Sequence, residues 1–283
     1  MILNRLARPP KSAAGAGGMV LLGALFVQYS AAIVAPIFAV VGAASTSAWR
    51  FSLGAFILLV LARPKVFRWT KRQWLGALAL GASTAFMNLC FFQAIDRINL
   101  GTAVAIEYLG PFLVSALGKR SWRHFLFVVV AALGVVALAR PGGGLSVAGL
   151  IFAALSGVGW ASYAFASHFV GDETSGFDGL AVAMTMAALI TFPFLPASIG
   201  PMLDHGLLPR MILASFAAVV LGFGAEMQAL RRLPPSIVGV LLALDPAVAF
   251  AVGYVVLGQP IMAWDVLGTG LVIISGIAVT RDA

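Results

Sequence analysis

Three acidic residues lie inside long apolar runs of this sequence, where a charged side chain has no obvious partner. Glu107 lies in the stretch AIEYLGPFLV, residues 105–114, which contains no other charged residue. Glu226 and Asp245 lie in two later apolar runs. A carboxylate at the middle of a membrane costs roughly 2.5–3.5 kcal/mol on insertion scales, so such a residue usually faces water or a binding cavity. These carboxylates are therefore candidates to bind an ammonium group, a proton, or both in turn.

Neutral polar and aromatic residues recur at helical spacing in three other apolar runs. The sets that share a helix face are Gln28, Ala32 and Pro36; Gly81, Thr84 and Asn88; and Ser156, Trp160, Tyr163 and Ser167. Faces of this kind suit the wall of a cavity, although small and polar residues also join helices to one another in membranes. With both interpretations open, we assign Gln28, Thr84, Asn88, Trp160 and Tyr163 to a substrate site.

Two prolines interrupt apolar runs beside acidic residues. Pro111 follows Glu107 by about one helical turn, and Pro246 follows Asp245 directly. A proline removes a backbone N–H and so frees a carbonyl group. Membrane helices tolerate such a break where the freed group meets protein or lines a cavity. Glu107, Pro111 and Asp245 therefore complete the predicted substrate site.

Two further charged residues are assigned to gating or coupling. Arg50 lies inside the second apolar run. Its long side chain can reach the outer interface or pair with a carboxylate, and of these we favour pairing. Glu226 lies nearer the end of its run, where it is either a gate residue or an interfacial carboxylate close to Arg231.

No residue pattern points to an enzyme. The sequence contains no Ser/His/Asp set, HExxH or CxxC pattern, and its single cysteine, Cys90, lies inside an apolar run. The GTG at 268–270 follows no strand, so it does not indicate a dinucleotide site. We therefore predict no catalytic residue, no metal and no cofactor. A membrane enzyme with Glu107 and Asp245 as catalytic carboxylates is the alternative from another class.

The composition of the chain indicates that membrane-spanning helices carry these candidate site residues. Of 283 residues, 61% are hydrophobic and 10% are charged, whereas a soluble domain has about a quarter charged residues. The solvent is therefore lipid, in which only helices and closed barrels satisfy their own backbone. Runs this long and without alternation indicate helices. Ten are long enough to span: 19–41, 46–62, 74–95, 99–117, 122–139, 147–169, 179–195, 210–229, 235–257 and 263–280.

Basic residues predict the orientation of the chain. If both termini are cytoplasmic, 14 of the 18 Lys and Arg residues fall in cytoplasmic segments, and three, Arg97, Arg140 and Arg210, fall in outer ones. Cytoplasmic loops of membrane proteins carry such an excess.

The sequence does not indicate nucleic acid as a partner, because it contains no basic stripe interleaved with aromatic residues. The expected partners are membrane lipid and a small-molecule substrate, and the sequence predicts no oligomeric state.

Two stretches repeat each other at an offset of 135 residues. QAIDRINLGTAVAIEYLGP (93–111) aligns without gaps with QALRRLPPSIVGVLLALDP (228–246). Each closes the third span and opens the fourth span of a five-span unit, and because five is odd the second unit must be inverted. Many secondary transporters have this architecture. We predict an all-α integral membrane protein of ten transmembrane helices, with a five-helix repeat at 1–141 and an inverted one at 142–283.

Four stretches of the sequence have the pattern of a known family: SAWRFSLGAFIL (47–58), NLGTAVAIEYLGPFLVSAL (99–117), GWASYAF (159–165) and AEMQALRRLPPSIVGVLLALDPAVAF (225–250), followed by GQP. They resemble the EamA family of the drug/metabolite transporter superfamily, and more narrowly its bacterial threonine/homoserine exporters. The resemblance implies a secondary transporter of the bacterial inner membrane that exports amino acids by alternating access through a central cavity. Arg50, Glu107 and Glu226 match positions occupied alike in that group, whereas Asp245 stands where its members tend to have Glu.

An amino acid fits the predicted site. Glu107 would bind the ammonium group or a proton, and Asn88, Gln28 or backbone amides would bind the carboxylate. Trp160 and Tyr163 would form an adaptable wall that suits methionine and aromatic amino acids as well as threonine and homoserine. Another small metabolite or a drug-like amine is the alternative substrate. Proton antiport and facilitated diffusion both stay open.

Overall fold

The computed structural model of the protein describes residues 13–110, 112, 122–139, 146–173, 177–230 and 235–281, and its regular elements there are all helical. Pro111 lies outside these residues. The α-helices are α1 Ala13–Val34, α2 Phe38–Val41, α3 Ala43–Ala62, α4 Lys71–Ile95, α5 Leu100–Glu107, α6 Trp122–Leu138, α7 Val147–Glu173, α8 Asp178–Thr191, α9 Ile199–Asp204, α10 Leu208–Ser215, α11 Phe223–Leu230, α12 Pro235–Leu242, α13 Asp245–Leu257 and α14 Ala263–Arg281.

Six stretches of the described chain are long and apolar enough to cross a membrane. A bent pair of helices, Asp178–Phe194 and Pro196–Asp204, makes a seventh if the pair is a single span. Apolar helices at Phe125–Leu138 and Ala263–Ala278 are shorter. The protein is thus an all-helical membrane protein, and the full number of crossings stays a prediction. The six stretches are Gly17–Val41, Ala43–Ala62, Lys71–Ile95, Val147–Ser167, Leu208–Glu226 and Val240–Leu257.

Several predicted spans depart from a regular α-helix. The predicted run 210–229 contains a π-helical segment, Phe216–Gly222, between α10 and α11. The run 179–195 ends in a bend of 71° that coincides with Pro196, a residue that cannot donate the next helical hydrogen bond. Hydropathy located these runs, but it carries no information on hydrogen-bond register.

The helices α5 and α12 occupy equivalent places in the two copies of the sequence repeat. An offset of 135 residues carries Leu100–Glu107 onto Pro235–Leu242, and both helices are eight residues long. Each helix ends directly before a turn, which is at Tyr108 in the first copy and begins at Ala243 in the second. The repeat therefore places a helix end next to Glu107 in one copy and next to Asp245 in the other.

Close backbone contact joins α7 to α4 and α5. A Cβ atom on Gly157 would lie 2.8 Å from the carbonyl oxygen of Glu107, and one on Gly159 would lie 2.7 Å from the Cα of Met87. Both distances are shorter than real Cβ contacts, so a larger residue would displace a neighbouring helix. Gly157 therefore allows α7 to approach α5, and Gly159 allows it to approach α4 on a different side of the helix.

Two separate clusters of buried apolar residues form the core of the bundle. One contains Ile37 and Phe92, near the ends of α1 and α4, and Leu100 at the start of α5. The other contains Trp160 and Tyr163, which also line the candidate site. In the first cluster, the Oε1 of Gln259, from the GQP stretch, accepts a hydrogen bond of 3.0 Å from the backbone N–H of Leu100.

Candidate functional site

Glu107 is the last residue of α5 and is 8% exposed. Its carboxyl oxygen Oε1 makes a hydrogen bond with the Oγ of Ser156 in α7. The same Oγ lies 2.9 Å from the backbone carbonyl oxygen of Met87 in α4. A serine hydroxyl has one hydrogen to donate. Both contacts are therefore satisfied at once when Ser156 donates to Met87 and a protonated Glu107 donates to Ser156.

Asp245 begins α13 and is bound by Gln28 of α1. The amide Nε2 of Gln28 lies 3.1 Å from each of the two carboxylate oxygens of Asp245. The Gln28 side chain is buried, and its Oε1 atom has no hydrogen-bond partner. This contact joins α1 to α13.

The Arg50 side chain neither reaches the membrane interface nor pairs with a carboxylate, the two positions considered from the sequence. Its side chain is 1% exposed, so it does not extend to the interface. Within the described part of the chain it forms no salt bridge, and its three side-chain nitrogens have no hydrogen-bond partner. The guanidinium carbon lies 5.3 Å from the centre of the Phe92 ring and 5.9 Å from that of Phe223. Such contacts stabilise a cation, but they leave its N–H groups free.

Asn88 of α4 lines the same cavity as Arg50 and is bonded to the helix that carries Arg50, α3. The hydroxyl of Ser47 donates a hydrogen bond of 2.9 Å to the Oδ1 of Asn88. This bond orients the amide so that Nδ2 remains as a donor. Ser47 was not predicted as a site residue, although its spacing of three from Arg50 places both on one face of α3.

The aromatic residues of the predicted wall are both buried beside the cavity. Trp160 packs edge-on against Tyr108, with ring centres 5.7 Å apart. Tyr163 packs against Phe223 at 6.1 Å. Phe223 thus contacts both Tyr163 and Arg50, a role that an aromatic residue within an apolar run does not reveal in the sequence.

Most of the predicted site residues line one cavity. Thr84 is not among them, because its hydroxyl bonds the Leu80 carbonyl of its own helix at 2.6 Å. Pro111 lies outside the described residues. The lining residues are Val20, Ala24, Val27, Gln28, Arg50, Met87, Asn88, Phe91, Glu107, Trp160, Tyr163, Phe223, Glu226, Leu242 and Asp245.

The charged groups of the cavity wall do not balance. Glu107, Glu226 and Asp245 face the cavity together with Arg50. With all four ionised, one positive charge meets three negative ones, and the excess attracts protons or a substrate ammonium group. Within the residues that the structure describes, no group of three His, Cys, Asp or Glu side chains could hold a metal ion. The cavity is thus suited to a small organic molecule that carries a cationic group.

Comparison with known proteins identifies the family to which this protein belongs. The profile of the EamA-like transporter family matches residues 147–281, and relatives more than 30% identical cover almost the whole chain. The protein therefore belongs to the EamA-like transporter family and is a multi-pass membrane protein. Among these relatives are the threonine/homoserine exporters RhtA of Escherichia coli (strain K12) and Salmonella typhimurium (strain LT2). Each is 32% identical over 266 residues, which are 93% of this chain and 90% of the relative.

More distant proteins support the same class and fold. The transporter YxxF of Bacillus subtilis (strain 168) is 25% identical over 242 residues, which cover 80% of this chain and 75% of YxxF. One crystal structure, 20% identical in sequence, matches with a TM-score of 0.60 and covers 93% of this chain and 96% of its own. That structure supports the fold alone.

Proposed function

We propose that this protein exports amino acids of the threonine and homoserine class by alternating access, with methionine and aromatic amino acids as further substrates. The observation that carries the proposal is the cavity, whose mostly apolar wall contains Glu107, Glu226, Asp245 and Arg50. A zwitterion complements such a wall, because it brings one group for each sign of charge. The named substrates of the RhtA relatives support the choice of amino acid.

The architecture proposed for this transport is ten transmembrane helices in two inverted repeats, 1–141 and 142–283, with both termini cytoplasmic. The matched helices α5 and α12 support the repeat, and the excess of Lys and Arg in the proposed cytoplasmic segments supports the orientation. The cavity extends along α1 toward Val20. The apolar cluster around Ile37 and Phe92 would then close the outer end, and its opening would release the substrate.

Glu107 is proposed as the residue that binds the substrate ammonium and a proton in turn. Its contact with Ser156 is satisfied best by a protonated carboxyl group, as described above. A substrate ammonium would supply a positive charge in place of that proton. Exchange of one for the other would couple export to proton entry, with Glu226 near the cytoplasmic end of the path and Asp245 held by Gln28.

A panel of substrates in proteoliposomes tests the proposal. Vesicles loaded with unlabelled compound are expected to accumulate labelled threonine and homoserine by counterflow, with weaker uptake of nucleobases. A simple amine is the informative competitor, because the negative excess of the cavity also favours a cation without a carboxylate. Counterflow of amines without counterflow of any amino acid would replace the proposed function with amine export.

A further inference from the structure

Arg50 is among the largest fully buried side chains of the described protein, and none of its nitrogens donates a hydrogen bond. A buried group that loses its hydrogen bonds to water costs free energy unless other acceptors replace them, and the cost is larger for a charged group. Phe92 and Phe223 provide ring faces only. The structure therefore holds an unmet requirement for an anion beside the cavity.

The acidic side chains of the cavity do not meet this requirement. Glu107 bonds Ser156, and Asp245 accepts two hydrogen bonds from Gln28. Glu226 lines the same cavity but forms no salt bridge with Arg50. Among the described residues, none of these carboxylates thus forms an ion pair with the guanidinium.

Asn88 places a second donor on the same side of the cavity. Its Oδ1 is held by Ser47, on the helix that carries Arg50, so the Nδ2 amide is free to donate. A guanidinium and an amide together suit a planar acceptor with two oxygens, since arginine binds carboxylates through two parallel N–H groups. An ammonium or a neutral hydroxyl offers no such acceptor pair.

From this arrangement we infer that Arg50, assisted by Asn88, binds the carboxylate of the transported molecule while the acidic wall binds its ammonium. The inference rests on the proposed function for the identity of the substrate, and it adds that a free carboxylate is required. Amino-acid amides and amino alcohols are therefore excluded as good substrates. Arg50 is a specificity-determining residue rather than half of a structural ion pair.

The test compares matched ligands that differ only in the carboxylate. Purified protein in detergent is titrated with threonine and threonine amide, phenylalanine and phenylalanine amide, and lactate and lactamide, and the shift in melting temperature gives the affinity. The wild-type protein is expected to prefer the acid of each amino-acid pair by about 10- to 100-fold, the range for a charged hydrogen bond. Arg50→Gln is expected to lose that preference, Arg50→Lys to keep part of it, and Arg97→Gln, at an exposed site, to keep all of it.

Ligand-free stability separates binding from a structural role. Removal of an unpaired buried charge is expected to leave the melting temperature of Arg50→Gln unchanged or higher, whereas the loss of a structural ion pair would lower it. If Arg50→Gln does not fold, the preference for the acid over the amide is compared between the wild type and Arg50→Lys. An acid preference that survives in both variants, or that the wild type lacks, overturns the inference. A wild type that prefers acids through Arg50 but shows no counterflow of amino acids would overturn the proposed function alone.

Discussion

Ser156 and Arg50 show how single residues define the site. One hydroxyl of Ser156 lies between the carboxyl group of Glu107 and the carbonyl of Met87, which makes the contact sensitive to the protonation of Glu107. Arg50 has the opposite character, since its donors have no protein acceptor. The sequence assigned Arg50 to the site by its charge within an apolar run, whereas it placed Ser156 only on a polar helix face. It could not give their partners, because a buried contact depends on which helices pack together.

Trp160 is expected to set the preference for large side chains. It lines the cavity and packs against Tyr108, so Trp160→Ala removes apolar contact area without removing a charged group. Counterflow of phenylalanine and methionine is expected to fall several-fold more than that of threonine, since burial of apolar area contributes about 25 cal/mol per Å². Equal losses for all three substrates would show that Trp160 serves packing alone.

At the scale of elements, the interruptions in the helices matter as much as the helices. Apolar runs located the span Gly17–Val41 and the helices α3, α4 and α7 within a few residues, because hydropathy reports the length of a span directly. The π-helical segment Phe216–Gly222 and the early end of α5 at Glu107 were not predicted. Such features depend on local hydrogen bonding and on neighbouring helices, which the pattern of apolar residues does not record.

The contact between α4 and α7 is expected to tolerate no added volume at Gly159. A Cβ atom there would lie 2.7 Å from the Met87 Cα, which is backbone and cannot move alone. Gly159→Ala should therefore destabilise the protein by about 1–3 kcal/mol, the usual cost of overpacking. Gly270→Ala is the matched control in α14, where nothing lies within 4 Å of the added atom. An equal melting temperature for the two variants in detergent would contradict the close packing described for α7.

At the scale of the whole molecule, the cavity is lined by residues from both halves of the chain. Gln28 contacts Asp245 on one wall, and Glu107 contacts Ser156 on another. If the halves 1–141 and 142–283 move relative to each other as proposed, these contacts would break or be remade. Membership in a transporter family is consistent with such a movement.

Counterflow of labelled threonine by Glu107→Gln tests the central claim most directly. The variant keeps the shape of the side chain and removes its charge, so we expect a folded protein of equal or slightly higher stability whose counterflow is at least about tenfold lower, as for the loss of a charged hydrogen bond. Wild-type counterflow should vary with pH, and the residual counterflow of the variant should vary less. Asp96→Asn, at an exposed site, should match the wild type. Normal counterflow by a well-folded Glu107→Gln protein would contradict the account, since the carboxylate would then bind neither substrate nor proton.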